Sequence, residues 1–313
     1  MPGQNNNQIK EKVVTMEFSV VIATHNRKDK LRNCLTAVSQ QTIPPIQIIV
    51  IDDASTDGTD KIVTTEFPHI IYHKLATRSG PAAARNQGIR LAQGDIVAFT
   101  DDDCQPPPDW LEQLAAGFAR HPEVVGVSGY QEAPDHLLQT NPIARAEQIA
   151  RYQRWGKAAH QAQTGGYEIP GFGTNNVAYK RQILLEMGGF DESFPVAAGE
   201  DADLKWRITE KGHQLLYLPL KVTHYRDYTW RAEWASSIRR GIGAYWFEVR
   251  RGHAPGFGRI TLRLGKRLLS FVPDLFRWPW PVPFVRLLSR LGDVVGQYQM
   301  AFMLNKNNHI GNG

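Results

Sequence analysis

The chain has 313 residues, 42% of them hydrophobic and 21% charged, and a formal net charge of +5. This balance is typical of a soluble globular protein and excludes disordered and collagen-like chains. Its two cysteines, Cys34 and Cys104, cannot form a disulfide framework, lack metal-ligand spacing and fit a reducing compartment. No run reaches the roughly 18 apolar residues of a membrane-spanning helix. We expect residues 1–16 to be a disordered tail rather than a signal peptide.

The first part of the chain alternates short apolar runs with helical patterns. Apolar, β-branched runs predict strands at 18–23, 46–51, 70–75 and 96–100. Apolar residues at helical spacing predict helices at 29–39 and 80–92, with another helix after the loop at 52–59. The alternation predicts a doubly wound α/β sheet with right-handed crossovers.

Polar and acidic residues follow three of these strands where each strand ends. They are Thr24-His25-Asn26, Asp52-Asp53 and Asp101-Asp102-Asp103. Ligands of open α/β sheets bind outside the carboxyl ends of the strands. Adjacent carboxylates repel one another unless a cation holds them, and Mg²⁺ binds carboxylates together with substrate phosphates. Because the glycine fingerprints of dinucleotide and P-loop sites are absent, we expect carboxylates and a metal ion to hold a nucleotide here.

The second part of the chain places further candidate residues beside predicted elements. Its patterns predict a helix at 110–120, a strand at 124–130, a helical stretch at 143–162 and a glycine-rich loop at 165–173. Asp201 lies near a predicted helix N-terminus, where the helix dipole favours a carboxylate, although Glu200-Asp201 alone is typical of simple capping. His224 follows a predicted strand at 215–220. A lone histidine is more often structural, but one just past a strand end is a candidate metal ligand.

The character of the chain changes after Arg226, where arginines are frequent and acids are few. Apolar and aromatic residues recur there at helical spacing, over 230–249 and 268–288. Basic amphipathic segments with aromatic residues are typical of helices that lie in a membrane interface. The alternative is a set of helices packed over the preceding domain. Prolines between 273 and 283 break any membrane span, so we expect peripheral contact with an anionic membrane and no nucleic acid.

Several motifs, taken in order, resemble those of glycosyltransferase family 2, whose members are inverting enzymes with the GT-A fold. They are SVVIATHNR at 19–27, VIDDASTDGT at 50–59, GPAAARN at 80–86 and FTDDD at 99–103. Downstream, GTNN at 173–176 resembles the acceptor-side loop of the family, and GGFDE at 188–192 and GEDADL at 199–204 resemble the segment with its catalytic base. The resemblance covers 18–225 and does not include the C-terminal part.

The resemblance implies a donor site at the strand ends. Asp53 would contact the base of the nucleotide. The donor-side residues that it implies are Thr24, Asp53, Arg85, Asp101 and Asp102. The ligands that it implies for Mg²⁺ or Mn²⁺ are Asp101 and Asp103 as the DxD pair, together with His224. Asp102 is an extra acid, so which of the three aspartates holds the metal ion stays open.

The resemblance also implies an acceptor side with Asp201 as the general base. The acceptor-side residues are Asn175, Asn176 and Glu200. The chemistry fits, because an acceptor hydroxyl must lose its proton as it attacks the anomeric carbon. A divalent ion would neutralise the charge that grows on the leaving diphosphate.

We therefore expect a GT-A, Rossmann-like, mixed and mainly parallel sheet flanked by helices, with a helical amphipathic C-terminal extension. The expected domains are the tail at 1–16, a GT-A domain at 17–228 with donor and acceptor halves at 17–130 and 131–228, and a basic, aromatic-rich helical region at 229–313. The expected protein is cytoplasmic and peripheral at the inner face of the plasma membrane.

The expected activity is metal-dependent transfer of a sugar from a nucleotide-sugar donor, UDP-linked, to a glycan or lipid-linked acceptor in polysaccharide or glycoconjugate synthesis. One alternative is a sugar-phosphate nucleotidyltransferase, which normally has a glycine-rich basic loop where this chain has Thr24-His25-Asn26-Arg27. The other is a non-catalytic scaffold that binds a glycan or a membrane, which would not need Asp101, Asp103 and Asp201.

Overall fold

A computed structural model describes residues 16–310, without the side chains of residues 307–310. The expected tail therefore lies outside the described residues, apart from Met16. The strands are β1 (Phe18–Thr24), β2 (Gln47–Asp52), β3 (Ile71–Lys74), β4 (Ile96–Phe99), β5 (Cys104–Gln105), β6 (Val124–Glu132), β7 (Gln163–Gly165), β8 (Val177–Lys180) and β9 (Gln214–His224).

The helices of the GT-A region are α1 (Lys28–Ser39), α2 (Thr59–Glu66), α3 (Pro81–Leu91), α4 (Trp110–Arg120), α5 (Asp135–Thr140), α6 (Pro142–Trp155), α7 (Arg181–Glu186) and α8 (Glu200–Glu210). A short 3₁₀ helix, Gly156–His160, follows α6. The C-terminal helices are α9 (Trp230–Arg250), α10 (Phe257–Leu269), α11 (Phe271–Arg277) and α12 (Val282–Ile310).

The strands form one mixed sheet in the order β3-β2-β1-β4-β8-β6-β9-β5, with β7 also paired to β9. The first four strands are parallel, so the ends of β1, β2 and β4 meet at one edge. Antiparallel β8 joins this block to β6, and β6 is parallel to β9. The prediction of a mixed α/β sheet flanked by helices is confirmed.

Helices cover both faces of the sheet, because alternate residues of each strand point to opposite sides. Val20 and Ile22 of β1 pack in a core with Trp110 and other residues of α1, α2 and α4. Val21 packs on the opposite face in a core with Leu204 and other residues of α3, α7 and α8. Burial on both faces explains why these strands form continuous apolar runs in the sequence.

The C-terminal helices pack on this domain and on one another. α9 contacts α12 along its length, and α12 also contacts α6. Gly243 of α9 lies so close to the chain before α8 that a Cβ there would stand 2.1 Å from the carbonyl oxygen of Ala198. α9 therefore packs directly against the start of α8. No helix in residues 16–310 is both long enough and apolar enough to cross a membrane.

Candidate active site

The aspartates 101–103 follow the carboxyl end of β4, and each has a different environment. Asp102 is buried, and its carboxylate accepts hydrogen bonds from the Thr24 hydroxyl at 2.8 Å and from Arg27 at 3.0 Å. Burial is the main reason why the pKa of Asp102 is raised to about 6, with the charge of Arg27 opposing the rise. Thr24 and Asp102 are thus turned toward each other, and their contact with a nucleotide stays a prediction.

Asp103 contacts the end of β9. Antiparallel pairing of β5 with β9 sets Cys104 opposite His224, and the Asp103 carboxylate lies 3.2 Å from His224 Nε2. Burial alone would raise the pKa of Asp103, but the hydrogen bond and charge of His224, with Arg27, lower it to about 2. The pKa of His224 is raised, because burial opposes protonation but the Asp103 carboxylate outweighs it. β9 runs past its expected end at 220, so His224 is its last residue.

These side chains fit a divalent metal ion. Ligand atoms of Asp103, Cys104 and His224 lie within 4.8 Å of one another. Carboxylate and imidazole ligands suit ions such as Mn²⁺, and carboxylates suit Mg²⁺. Burial raises the pKa of the Cys104 thiol well above its usual value, which disfavours the thiolate that a metal ion needs. Asp103 and His224 are therefore the better pair, and Asp101, whose side chain is 28% exposed, is the third candidate.

Arg85 of α3 connects the aspartates to the start of α8. Its guanidinium donates to Asp101 at 3.0 Å and to Glu200 at 2.9 Å. Both Arg85 and Glu200 are buried. Desolvation and the neighbouring Asp201 raise the pKa of Glu200 to about 7, against the charge of Arg85. This ion-pair bridge holds the N-terminus of α8 next to the end of β4.

Asp201 is partly exposed at the wall of a cavity, whereas Glu200 is buried. The cavity has a volume of about 850 Å³ and extends to His224. Gly199 has φ +99°, a conformation that glycine adopts easily, and so lets the chain turn into α8 directly before the two acids. Burial raises the pKa of Asp201 above its ordinary value. A carboxylate of raised pKa at a cavity wall is suited to accept a proton near neutral pH.

The walls of this cavity come from α6, the 165–173 loop and the C-terminal helices α9 and α12. Residues beyond 228 thus form part of the site. Its aromatic lining includes Tyr130, Trp155, Tyr167, Phe172, Tyr217 and Phe247. Its cationic lining includes Arg151, Arg154, Lys205, Arg240, Arg286 and Arg290. The lining also includes Glu132, Glu147 and Glu233, which form ion pairs with Arg151, Arg226 and Arg240. Such walls suit an acceptor with ring faces and polar groups.

Two other predicted residues have structural contacts. The Asp53 carboxylate accepts backbone N–H groups of Ser79 at 2.6 Å and Gly80 at 2.9 Å, so it fixes the entry to α3, and its contact with a nucleotide base stays a prediction. Asn176 is fully buried, and its side chain bonds to Trp110 and to two backbone carbonyls. These bonds give Asn176 a structural role, and its contact with an acceptor stays a prediction. Its neighbour Asn175 is half-buried and accepts from Thr100 through its backbone oxygen.

The sequence patterns did not identify two residues of the site. Arg27 bonds both Asp102 and Asp103, and its place directly after the polar end of β1 was the available signal. Lys205 lies one turn after Asp201, donates to the carbonyl of Ile169 at 2.5 Å and has its pKa lowered by burial to about 8. It ties the 165–173 loop to α8. A lysine within a helix is usually solvent-exposed, so no sequence pattern indicated its burial.

The chain belongs to glycosyltransferase family 2. The sequence profile described as Glycosyl transferase family 2 matches residues 19–188, which is more than half of the chain. The match runs from the second residue of β1 through α7 and includes the aspartates 101–103 and Arg85. Asp201, His224 and the C-terminal helices lie beyond it.

Individual relatives agree with this assignment. The pre-mycofactocin glycosyltransferase of Mycobacterium tuberculosis is 30% identical over 230 residues, which are 70% of this chain and 44% of that protein. The glucosyl-dolichyl phosphate glucuronosyltransferase of Haloferax volcanii is 26% identical over 182 residues, 56% of each chain. This chain thus spans about half the length of these two relatives.

A solved structure shares the fold. The mannosyltransferase PcManGT of Pyrobaculum calidifontis, in complex with GDP-Man and Mn²⁺, has a TM-score of 0.57 and 20% sequence identity to this chain. The likeness covers 96% of this chain and 82% of the other, so it takes in most of the C-terminal helices as well as the sheet. It supports the GT-A fold.

Proposed function

We propose that this protein is an inverting, metal-dependent glycosyltransferase that moves a sugar from a nucleotide-sugar donor to a glycan or lipid-linked acceptor. The observation that supports this most is the Arg85 bridge from Asp101 to Glu200. The bridge holds the aspartates that follow β4 next to the N-terminus of α8. The residue after Glu200 in that helix, Asp201, lines the cavity. The mannosyltransferase PcManGT, which shares the fold, was solved in complex with GDP-Man and Mn²⁺, and this supports a nucleotide-sugar donor and a divalent metal ion. A UDP-linked donor stays our prediction.

In this proposal, an acceptor hydroxyl in the cavity attacks the anomeric carbon of the donor and gives its proton to the Asp201 carboxylate. The bond from that carbon to the diphosphate oxygen breaks, and the nucleoside diphosphate leaves. A single displacement inverts the anomeric centre. Asp103, His224 and Asp101 would hold Mg²⁺ or Mn²⁺, which neutralises charge on the diphosphate when bound. Arg85 holds the donor-side Asp101 and the N-terminus of α8 at a fixed separation.

The C-terminal helices bear on the domain division of the protein and on its contact with a membrane. We propose the division into a GT-A domain at 17–228 and a helical region at 229–313, with peripheral contact of the latter with an anionic membrane at its cytoplasmic face. The basic and aromatic composition of that region supports it. A role in polysaccharide or glycoconjugate synthesis would follow.

The test is turnover of a panel of UDP- and GDP-sugars with Mn²⁺, measured as released nucleoside diphosphate. Asp201→Asn should lower the rate at least about 100-fold, the usual contribution of a general base, and leave nucleotide binding by calorimetry nearly unchanged. Glu210→Gln makes the same chemical change at the exposed end of α8 and should keep full activity. No turnover of any donor by the unaltered protein, or full activity in Asp201→Asn, would contradict the proposal.

A further inference from the structure

Helices α10 and α11 and the turn that follows α11 expose a group of large apolar side chains that we call the outer face. Its residues are Leu262, Leu268, Leu269, Val272, Leu275, Phe276 and Trp280. The exposed fraction is 76% for Leu269, 88% for Phe276 and 76% for Trp280. Single exposed apolar residues are ordinary, but neighbouring ones that form a patch mark an interaction surface.

The packing of α11 explains why this face points outward. Asp274 is buried and forms ion pairs with Arg286 at 3.3 Å and Arg290 at 2.8 Å, both on α12. These contacts fix the inner side of α11. Val272 and Phe276 are two residues to either side of Asp274, which places them on the opposite side of a helix. The ion pairs thus hold the apolar side chains toward solvent.

The charges around the outer face are positive. Arg259, Lys266 and Arg277 are exposed on the same helices. The other two arginines of α10 are already used, since Arg263 bonds Glu248 at 2.8 Å and Arg267 bonds Asp293 at 3.0 Å. Between residues 251 and 281 the one acid in the sequence is the buried Asp274. An apolar patch with a cationic frame is complementary to an anionic lipid surface.

We propose that the outer face docks on an anionic lipid bilayer, with Leu269 and Phe276 among the acyl chains and Lys266 and Arg277 at the head groups. This deepens the peripheral contact proposed above by naming the surface, and it rests on that part of the proposed function. It does not require sugar transfer. A second copy of the chain on the same face is an outcome that the test separates.

The same orientation bears on the acceptor. A second cavity, of about 720 Å³, lies between α6, α11 and α12. Arg286 and Arg290 line both this cavity and the one that contains Asp201. With the outer face on a bilayer, α11 would bring this cavity, whose two arginines are paired with Asp274, close to the head groups. An acceptor carried by an anionic lipid would then enter from the membrane side.

The experiment is co-sedimentation of the full chain with phosphatidylcholine vesicles, with and without phosphatidylglycerol. The protein should partition at least about tenfold more strongly onto the anionic vesicles, and added salt should weaken the binding. Leu269→Glu combined with Phe276→Glu should lower partitioning at least about tenfold, because two apolar side chains that would insert into the bilayer are replaced by carboxylates. Both side chains are exposed, so folding should be preserved.

The matched control is Ile46→Glu combined with Leu185→Glu. These residues are 47% and 48% exposed, lie outside α10 and α11, and add the same charge. They should leave partitioning unchanged. The inference would be overturned if both double variants lost vesicle binding equally, or if the unaltered protein bound neutral and anionic vesicles equally. It would also be overturned if light scattering showed a dimer that only the outer-face variant dissociates. If no sugar nucleotide is turned over while binding still depends on the outer face, the proposed transfer fails and this inference stands.

Discussion

The Asp103 carboxylate and His224 Nε2 lie 3.2 Å apart, although one residue follows β4 and the other ends β9. The short pairing of β5 with β9 produces this contact, because it sets Cys104 opposite His224. The contact makes the pair a proton-binding site and a candidate metal-binding site at once. A metal ion would have to displace the proton that Asp103 favours on His224.

The affinity of the protein for Mn²⁺ should therefore fall as pH is lowered through the raised pKa of His224. A protonated imidazole cannot ligate a metal ion, so protons and Mn²⁺ compete for the site. Below that pKa we expect a loss of up to about tenfold in affinity per pH unit. Calorimetric titration of Mn²⁺ across this range measures it. The variant His224→Gln should bind more weakly and with little pH dependence, and a slope equal to that of the unaltered protein would contradict the assignment.

The aspartates should differ in their effect on metal binding. Asp102→Asn removes a carboxylate that Thr24 and Arg27 already occupy, so the affinity for Mn²⁺ should stay within about threefold. Asp103→Asn removes a charged oxygen next to His224 and should weaken binding at least about tenfold. Calorimetric titration of Mn²⁺ into both variants compares their affinities. The two variants carry the same chemical change in neighbouring residues. A larger loss in Asp102→Asn would reverse our assignment of the direct ligand.

The raised pKa of Asp102 also predicts that the stability of the protein depends on pH. Its pKa is raised in the folded protein to about 6, above the roughly 3.9 of an unfolded aspartate. The folded state therefore binds more protons between these values, and the contribution of Asp102 to the free energy of unfolding falls as pH rises through this window. Thermal denaturation of Asp102→Asn should show a smaller fall in Tm over the same window. An unchanged fall would mean that other groups dominate.

The sequence was sufficient for the elements that carry local signals. Apolar runs ending in Asp52-Asp53 and Asp101-Asp102-Asp103 located two strands and the edge where they meet, because parallel strands end together. Asp201 was singled out by the family motif at 199–204, since its position at a helix start alone is also typical of simple capping. These features depend on residues near each other in the chain, and the family motifs added the order of the pieces.

The contacts that the sequence could not predict join distant parts of the chain. The bridge from Arg85 to Glu200 spans 115 positions, and no periodicity encodes it. The burial of Asn176 depends on Trp110 and on β9, so its polar character alone could not show that its side chain bonds within the protein. The use of α9 and α12 as cavity walls likewise depends on packing between helices, which amphipathic patterns do not specify.

One of those helix contacts gives a sharp test of whether the C-terminal helices position the catalytic helix. Gly243→Ala should destabilise the protein even though alanine favours a helix over glycine by roughly 1 kcal/mol. A Cβ at 243 would stand 2.1 Å from the carbonyl oxygen of Ala198, so α9 must move away from the turn that contains Gly199. We expect a loss of about 1–3 kcal/mol in the free energy of unfolding, the usual cost of overpacking.

The activity of Gly243→Ala should fall together with its stability, because Asp201 directly follows the turn that contains Gly199. A misplacement of about 1 Å can cost on the order of 100-fold in rate, so kcat should drop at least about tenfold while nucleotide binding persists. The matched control is Gly265→Ala on α10, where a Cβ would meet nothing within 4 Å; it should leave kcat unchanged and stability equal or higher. Steady-state kinetics and thermal denaturation of both variants decide the matter, and an unchanged kcat in Gly243→Ala would mean that α9 does not set the position of Asp201.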